Sequence, residues 1–257
     1  MKKQPFQNLV VDHMTFLVEP RLYPVAYALF RVIFGVPPED VIYNKRRTWP
    51  GETEEKSMTF ASRTGVYEGR AGLDATIIAV VQPTEPAKQS SHVRDILKNR
   101  GGSAHWQHIA LRTPDLLAFH DHCLKRGVNF ITPILKDASE DLIQVFSGEW
   151  KLPGSAPTGI FFEFVQRAPS PELVKKLADR QAFFRDKVFL GLYQEKEKEY
   201  QGGKIQPFID DALFEKLERL LADLPVWRIG DAELTKAEAL MMDYAQETNG
   251  RRLHAGS

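Results

Sequence analysis

The chain has one cysteine, Cys123, in 257 residues. A single thiol excludes an intrachain disulfide and any site built on clustered thiolates. Charge of one sign is also missing: 34 Lys and Arg stand against 34 Asp and Glu, for a formal net charge of zero. Nothing here calls for a nucleic acid or a membrane surface as partner. No apolar run approaches the roughly 20 residues needed to cross a bilayer. Met1-Lys2-Lys3-Gln4-Pro5 leads into a polar stretch rather than a signal peptide. Together these absences describe a cytoplasmic protein. Gly101-Gly102 lacks the strand-turn-helix setting of a phosphate loop, so a nucleotide site is not expected. His120-Asp121-His122 has the composition of a metal cluster but falls on a helix, where side chains two residues apart diverge by about 200°. It reads as a partly solvated helix face, and Cys123 beside it as a packing residue.

What is present is a sizeable apolar fraction, 43%, enough for one large domain or one domain with an appendage. The residues up to Arg167 read as two copies of one unit, by order of elements. In the first, Leu9 to Val18 alternates so that Val11, His13 and Thr15 share a face. Pro24 to Phe34 has helical spacing and Gly35 to end it. Strand-like pieces follow at Asp40–Tyr43, Lys56–Ser62 and Leu73–Val81. In the second copy His108, Ala110 and Arg112 share a strand face. Thr113-Pro114-Asp115 opens a helix with Thr113 as the expected N-cap, and Gly127 closes it. Strands are predicted at Val128–Thr132, Asp141–Phe146 and Ile160–Gln166. The order β-α-β-β-β thus occurs twice, and a helix capped by Ser90 or Ser91 joins the copies.

After Arg167 the composition changes. Ser170-Pro171-Glu172 starts a helix, Leu173 to Glu199 is rich in helix formers, and Gln201-Gly202-Gly203 breaks it. Asp210–Ala222 and Leu234–Gln246 read as further helices, and Asn249 to Ser257 as a frayed end. The run Gln194-Glu195-Lys196-Glu197-Lys198-Glu199 reads as a solvated helix face. The expected architecture is α+β: paired βαβββ units over residues 8–168 and a helical C-terminal extension, 169–257, packed on them. Whether that extension covers the mouth of the sheet as a lid, or only buries apolar surface, is open at this point.

Three strands each carry one metal-capable side chain among apolar neighbours: His13, His108 and Glu163. A lone strand histidine is more often a satisfied core residue. Glu163 is different, because it lies between Phe161-Phe162 and Phe164-Val165, and burying an unpaired carboxylate costs several kcal/mol. It requires a buried Arg or His, or a metal. Two His and one carboxylate form the facial triad that holds a non-haem Fe(II) with open positions, although another divalent metal could fill the same set.

The stretch Gln107-His108-Ile109-Ala110-Leu111, the strand Phe161-Phe162-Glu163-Phe164-Val165-Gln166-Arg167, Leu142 to Phe146, and Asp12-His13 resemble segments of 4-hydroxyphenylpyruvate dioxygenase, over roughly residues 8–168. The resemblance implies the vicinal oxygen chelate fold, Fe(II) on His13, His108 and Glu163, and O2 with a 2-oxo acid as partners. The acid would chelate the iron and be decarboxylated oxidatively, with hydroxylation to follow. It also implies that Gln107 and Gln144 contact substrate and that Phe146 lines the pocket. Gln107 would need a bulge, since strict alternation sets it opposite His108. Only the family's catalytic half is matched. Asp74-Ala75, Thr84 and His92 stand where the family carries substrate-holding residues of other types, so an altered pocket is expected, with Asp74, Thr84 and His92 near its wall. Rival readings are extradiol ring cleavage with His92 or His105 as acid-base partner, metal-assisted isomerisation, or a small-molecule-binding protein without turnover. Fold analogy suggests a homodimer.

Overall fold

The computed structural model describes residues 3–64, 76–137, 141–179, 188–222 and 224–255. The first repeat comprises β1 (Val10–Val18), α1 (Tyr23–Val32), β2 (Val41–Arg47), β3 (Lys56–Thr64) and β4 (Thr76–Val81). After α2 (His92–Asn99) the second comprises β5 (Ala104–Arg112), α3 (Leu116–Leu124), β6 (Leu135–Asp137), β7 (Leu142–Glu149) and β8 (Phe161–Arg167). Among the described residues these strands form one mixed sheet in the order β2-β3-β4-β1-β5-β8-β7-β6. The order is palindromic: β1 and β5 meet antiparallel at the centre, and each pairs in parallel with the last strand of its own copy. The twofold repeat is therefore real, and the paired βαβββ architecture stands.

Period-two patterning assigns the faces. Phe60 and Val80 pack under Tyr23, Ala26 and Phe30 of α1. Ile143, Val145 and Phe164 pack under Leu116, Phe119 and Cys123 of α3. Cys123 is thus a core residue, and burial pushes its thiol up to about 12. The alternate positions of the same strands face a cavity of about 490 Å³ on the other side of the sheet.

Several local expectations change. The N-cap of α3 is Asp115, whose carboxylate accepts from the Ala118 amide, not Thr113. Thr113 instead donates its hydroxyl to the Phe6 carbonyl. Ser91, of the two serines, caps α2. No regular strand forms at Val128–Thr132: Val128 bridges to Ile209 and Phe130 to Ser147. The segment is shared between two partners, and β6 takes the sheet edge instead. Beyond the sheet lie α4 (Pro171–Asp179), α5 (Val188–Gly202), α6 (Asp211–Leu221) and α7 (Asp231–Ala255), the last extending through residues expected to fray. No helix among the described residues is long and apolar enough to cross a membrane.

Candidate metal centre

His13, His108 and Glu163 come together. One ligand atom of each lies within 4.8 Å of the others. Glu163 Oε2 is 3.3 Å from His13 Nε2 and 3.2 Å from His108 Nε2. Strand register explains the convergence. His13 pairs with Ala110, and Ala110 with Glu163, so these three lie in one lateral row. The methyl group of Ala110 leaves the space over the central strand open, and the two longer side chains lean into it from either side. His108 enters from the adjacent row, opposite Thr15.

Both imidazoles are held by their far nitrogens. His13 Nδ1 lies 3.0 Å from Asp12 Oδ1, and His108 Nδ1 lies 3.2 Å from Gln107 Oε1. Since a carboxylate and an amide oxygen only accept, each Nδ1 carries a hydrogen, and each Nε2 faces inward to Glu163. The Thr15 hydroxyl, 2.9 Å away, donates to His108 Nε2. His13 Nε2 and Glu163 Oε2, 3.3 Å apart, call for a proton or a cation between them. Glu163 Oε1 is buried and has no hydrogen-bond partner. This is the outer arrangement that metal-bound histidines characteristically have, and the residues present fit a divalent ion.

Burial disfavours charge on all three groups, and neighbours outweigh it at two of them. Glu163 and Asp12 outweigh burial at His13 and raise its pKa. The two histidines outweigh burial at Glu163 and hold it well below the usual carboxylate range. At His108 burial dominates and lowers the pKa, so that ring is neutral and ready to ligate.

Two β-bulges set this geometry. One lies between Val11 and His13, so that Asp12 and His13 both face the site, against strict alternation. Asp12 receives a bidentate bond from Arg167, with Nε at 2.7 Å and Nη2 at 2.6 Å. Asp12 and Arg167 were not singled out from sequence, though two successive polar residues in an apolar strand were a signal. The other bulge falls between Trp106 and His108. It is the irregularity that Gln107 needed, but Gln107 ends buried against His108 and is not among the residues lining the cavity. Asp12→Asn, which weakens the hold on His13 Nδ1, is expected to lower divalent-metal affinity about 10- to 100-fold. Metal titration of the purified variant checks this, and unchanged affinity would remove Asp12 from the site.

Of the remaining expected pocket residues, Gln144 and Phe146 line the cavity. His92 does not. At the start of α2 its ring faces α5, bonded to Glu197 Oε2 at 3.2 Å and packed 4.3 Å from Tyr193. Thr84 accepts from Trp49 Nε1 away from the cavity, and His105 Nε2 donates to the Thr158 carbonyl. Asp74 and Ala75 lie outside the described residues.

The Gln194–Glu199 run is not a solvated face. Lys196 is 0% exposed and bonds Glu149 Oε1 and Glu199 Oε2, each at 2.8 Å. Glu197 accepts from the His92 amide at 2.7 Å. Alternating charges hid one buried stripe, because every second residue of a charged run looks alike until a partner is known. One turn before Lys196, Leu192 lines the cavity. Desolvation works against the Glu197 charge, but His92, Ser90 and Gln201 outweigh it and lower its pKa to about 2. A depressed carboxylate stabilises fully above its ordinary value near 4.5 and loses that contribution as pH falls towards 2. The α2–α5 contact is therefore expected to weaken across that window, with Glu197→Gln flattening the acid limb of the stability curve.

No family model matches the chain, and no curated protein sequence is similar to it. Among solved structures, a triple variant of 4-hydroxymandelate synthase from Streptomyces coelicolor superposes with a TM-score of 0.53 at 17% identity, over 75% of this chain. The chain spans about half, 54%, of that protein's length. Methylmalonyl-CoA epimerase from Mycobacterium tuberculosis gives a TM-score of 0.41 at 21% identity, covering 66% of this chain and 91% of that one. A likeness at this identity is one of fold, and the fold is the vicinal oxygen chelate architecture.

Proposed function

We propose that this protein is a non-haem Fe(II)-dependent dioxygenase acting on a 2-oxo acid or aromatic substrate that chelates the metal. The observation that carries the reading is the convergence, at the wall of a cavity of about 490 Å³, of two imidazole Nε2 atoms and a buried carboxylate whose Oε1 has no hydrogen-bond partner. His13, His108 and Glu163 would hold the ion, and two nitrogens with one oxygen suit Fe(II) while leaving positions open. When bound, that ion supplies a place for the chelating substrate and for O2. The chain does the rest. Asp12 and Gln107 orient the two rings, Arg167 fixes Asp12, and Gln144 and Phe146 shape the substrate side. Phe161, 5.1 Å from the His108 ring, and Leu192 exclude water from the second repeat's half of the cup. The extradiol alternative loses the support of His92 and His105, which are engaged elsewhere.

The test is metal analysis of anaerobically purified protein, followed by O2 uptake with a panel of 2-oxo acids and catechols. One equivalent of iron and uptake with release of CO2 from a 2-oxo acid are expected. Tight metal without substrate-dependent uptake would leave a binding protein. No metal at all would dismiss the site.

A further inference from the structure

The two halves of the cavity are built differently. Over the second repeat it is filled: Leu135, Phe146, Phe161 and Leu192 form a packed cluster. Over the first repeat the described lining includes small side chains, Thr59 and Ala61 of β3 and Ala79 of β4, beside Ile42, Tyr43, Ile77 and Val81. The Thr59 hydroxyl in that lining is buried and has no hydrogen-bond partner. Substrate held at His13, His108 and Glu163 would extend over the first repeat, away from that packed cluster.

That side ends in positive charge. Arg63 lies in the same lateral row as the ligands: Arg63 pairs with Ile77, and Ile77 with His13. Two strand spacings put its backbone roughly 10 Å from that of His13. Arg112 adds a second guanidinium to the wall. Among the described residues, the carboxylates lining the cavity are Glu163, which would face the ion, and Asp12, which is bonded to Arg167. A divalent ion would make the enclosed potential more positive still. Arg63 is 50% exposed in its side chain, and its ion pair with Asp40 is long at 3.7 Å. Such a surface pair contributes about 0–1 kcal/mol and gives way readily to a better-placed anion.

We propose that the cavity selects a metal-chelating 2-oxo acid bearing a second, distal carboxylate, and that Arg63 is the specificity-determining residue that binds it. This rests on the metal reading above and narrows its substrate class from a chelating 2-oxo acid or aromatic to a dianionic 2-oxo acid. The probes are 2-oxoadipate and 2-oxoglutarate against 2-oxohexanoate and 2-oxopentanoate, matched in length but lacking the distal charge. Affinities are measured by calorimetry on Fe(II)-loaded protein without O2, so that no turnover is needed. One diacid should bind about 10- to 100-fold tighter than its monoacid, the range of a hydrogen bond to a charged group. Arg63→Gln should bring that ratio near one and leave monoacid affinity and the unfolding temperature unchanged. Arg46→Gln, an exposed control on β2, should keep the ratio. Equal affinities in the natural protein, or a preference that survives Arg63→Gln, would overturn the proposal while the metal reading stands. Failure of every acid to bind metal-loaded protein would overturn both.

Discussion

Glu163→Ala abolishes stoichiometric metal binding if the site is as described. A structural zinc site gains about 10–16 kcal/mol from four ligands, or about 3 kcal/mol each, so one missing ligand costs about 100-fold in affinity. The loss should be larger than for Asp12→Asn, which only disturbs a ligand's support. It has a second readout in stability. A ligand at 100 times its Kd stabilises the folded state by about 2.7 kcal/mol, about 5–10 °C in unfolding temperature for a chain of this size. Addition of Fe(II) or Co(II) should raise the melting point of the natural protein by that order and leave Glu163→Ala unmoved. Gln144→Ala lines the cavity without touching the ligands, so it should keep the metal-induced shift and lose substrate affinity only. An equal shift in Glu163→Ala would mean that the ion sits elsewhere.

The convergence of His13, His108 and Glu163 was legible because burial of Glu163 demanded an explanation and the repeat placed His13 and His108 at equivalent strands. The sheet was legible for the same reason: period-two patterning over long strands has few alternatives. What escaped depended on partners distant in sequence. Asp12 and Arg167 are 155 residues apart, and nothing local reveals that they form a bidentate pair. The family resemblance placed His92 in the pocket, yet Glu197 of α5 draws that ring away. Lys196 was misread because a charge is assumed to be solvated unless its counter-charge is in view, and Glu149 lies on β7, 47 residues away. The Val128–Thr132 segment has strand composition, but its hydrogen bonds are divided between β7 and the residues near Ile209.

That buried pair gives the other large expected effect. Glu149 and Lys196 are both 0% exposed. Glu149 Oε2 also accepts from the Thr158 and Gly159 amides, at 3.0 and 2.9 Å, and Oε1 from the Tyr200 hydroxyl at 3.1 Å. Lys196→Met removes the cation and leaves a carboxylate in the interior, a change that costs about 3–5 kcal/mol. At 2–4 °C per kcal/mol the melting point should fall by about 10 °C. Adding Glu149→Gln to Lys196→Met neutralises the stranded charge while keeping an acceptor for the two amides. The double variant should therefore be more stable than Lys196→Met alone, a sign that separates charge burial from lost packing. The pair also bears on the site. Lys196 lies 5.2 Å over the Phe161 ring, and Phe161 packs on His108. If α5 keeps water from the metal, Lys196→Met assayed well below its melting point should consume more O2 per product formed. The same ratio as in the natural protein would show that α5 only buries the sheet, and that the cup is kept dry by Phe146 and Phe161 themselves.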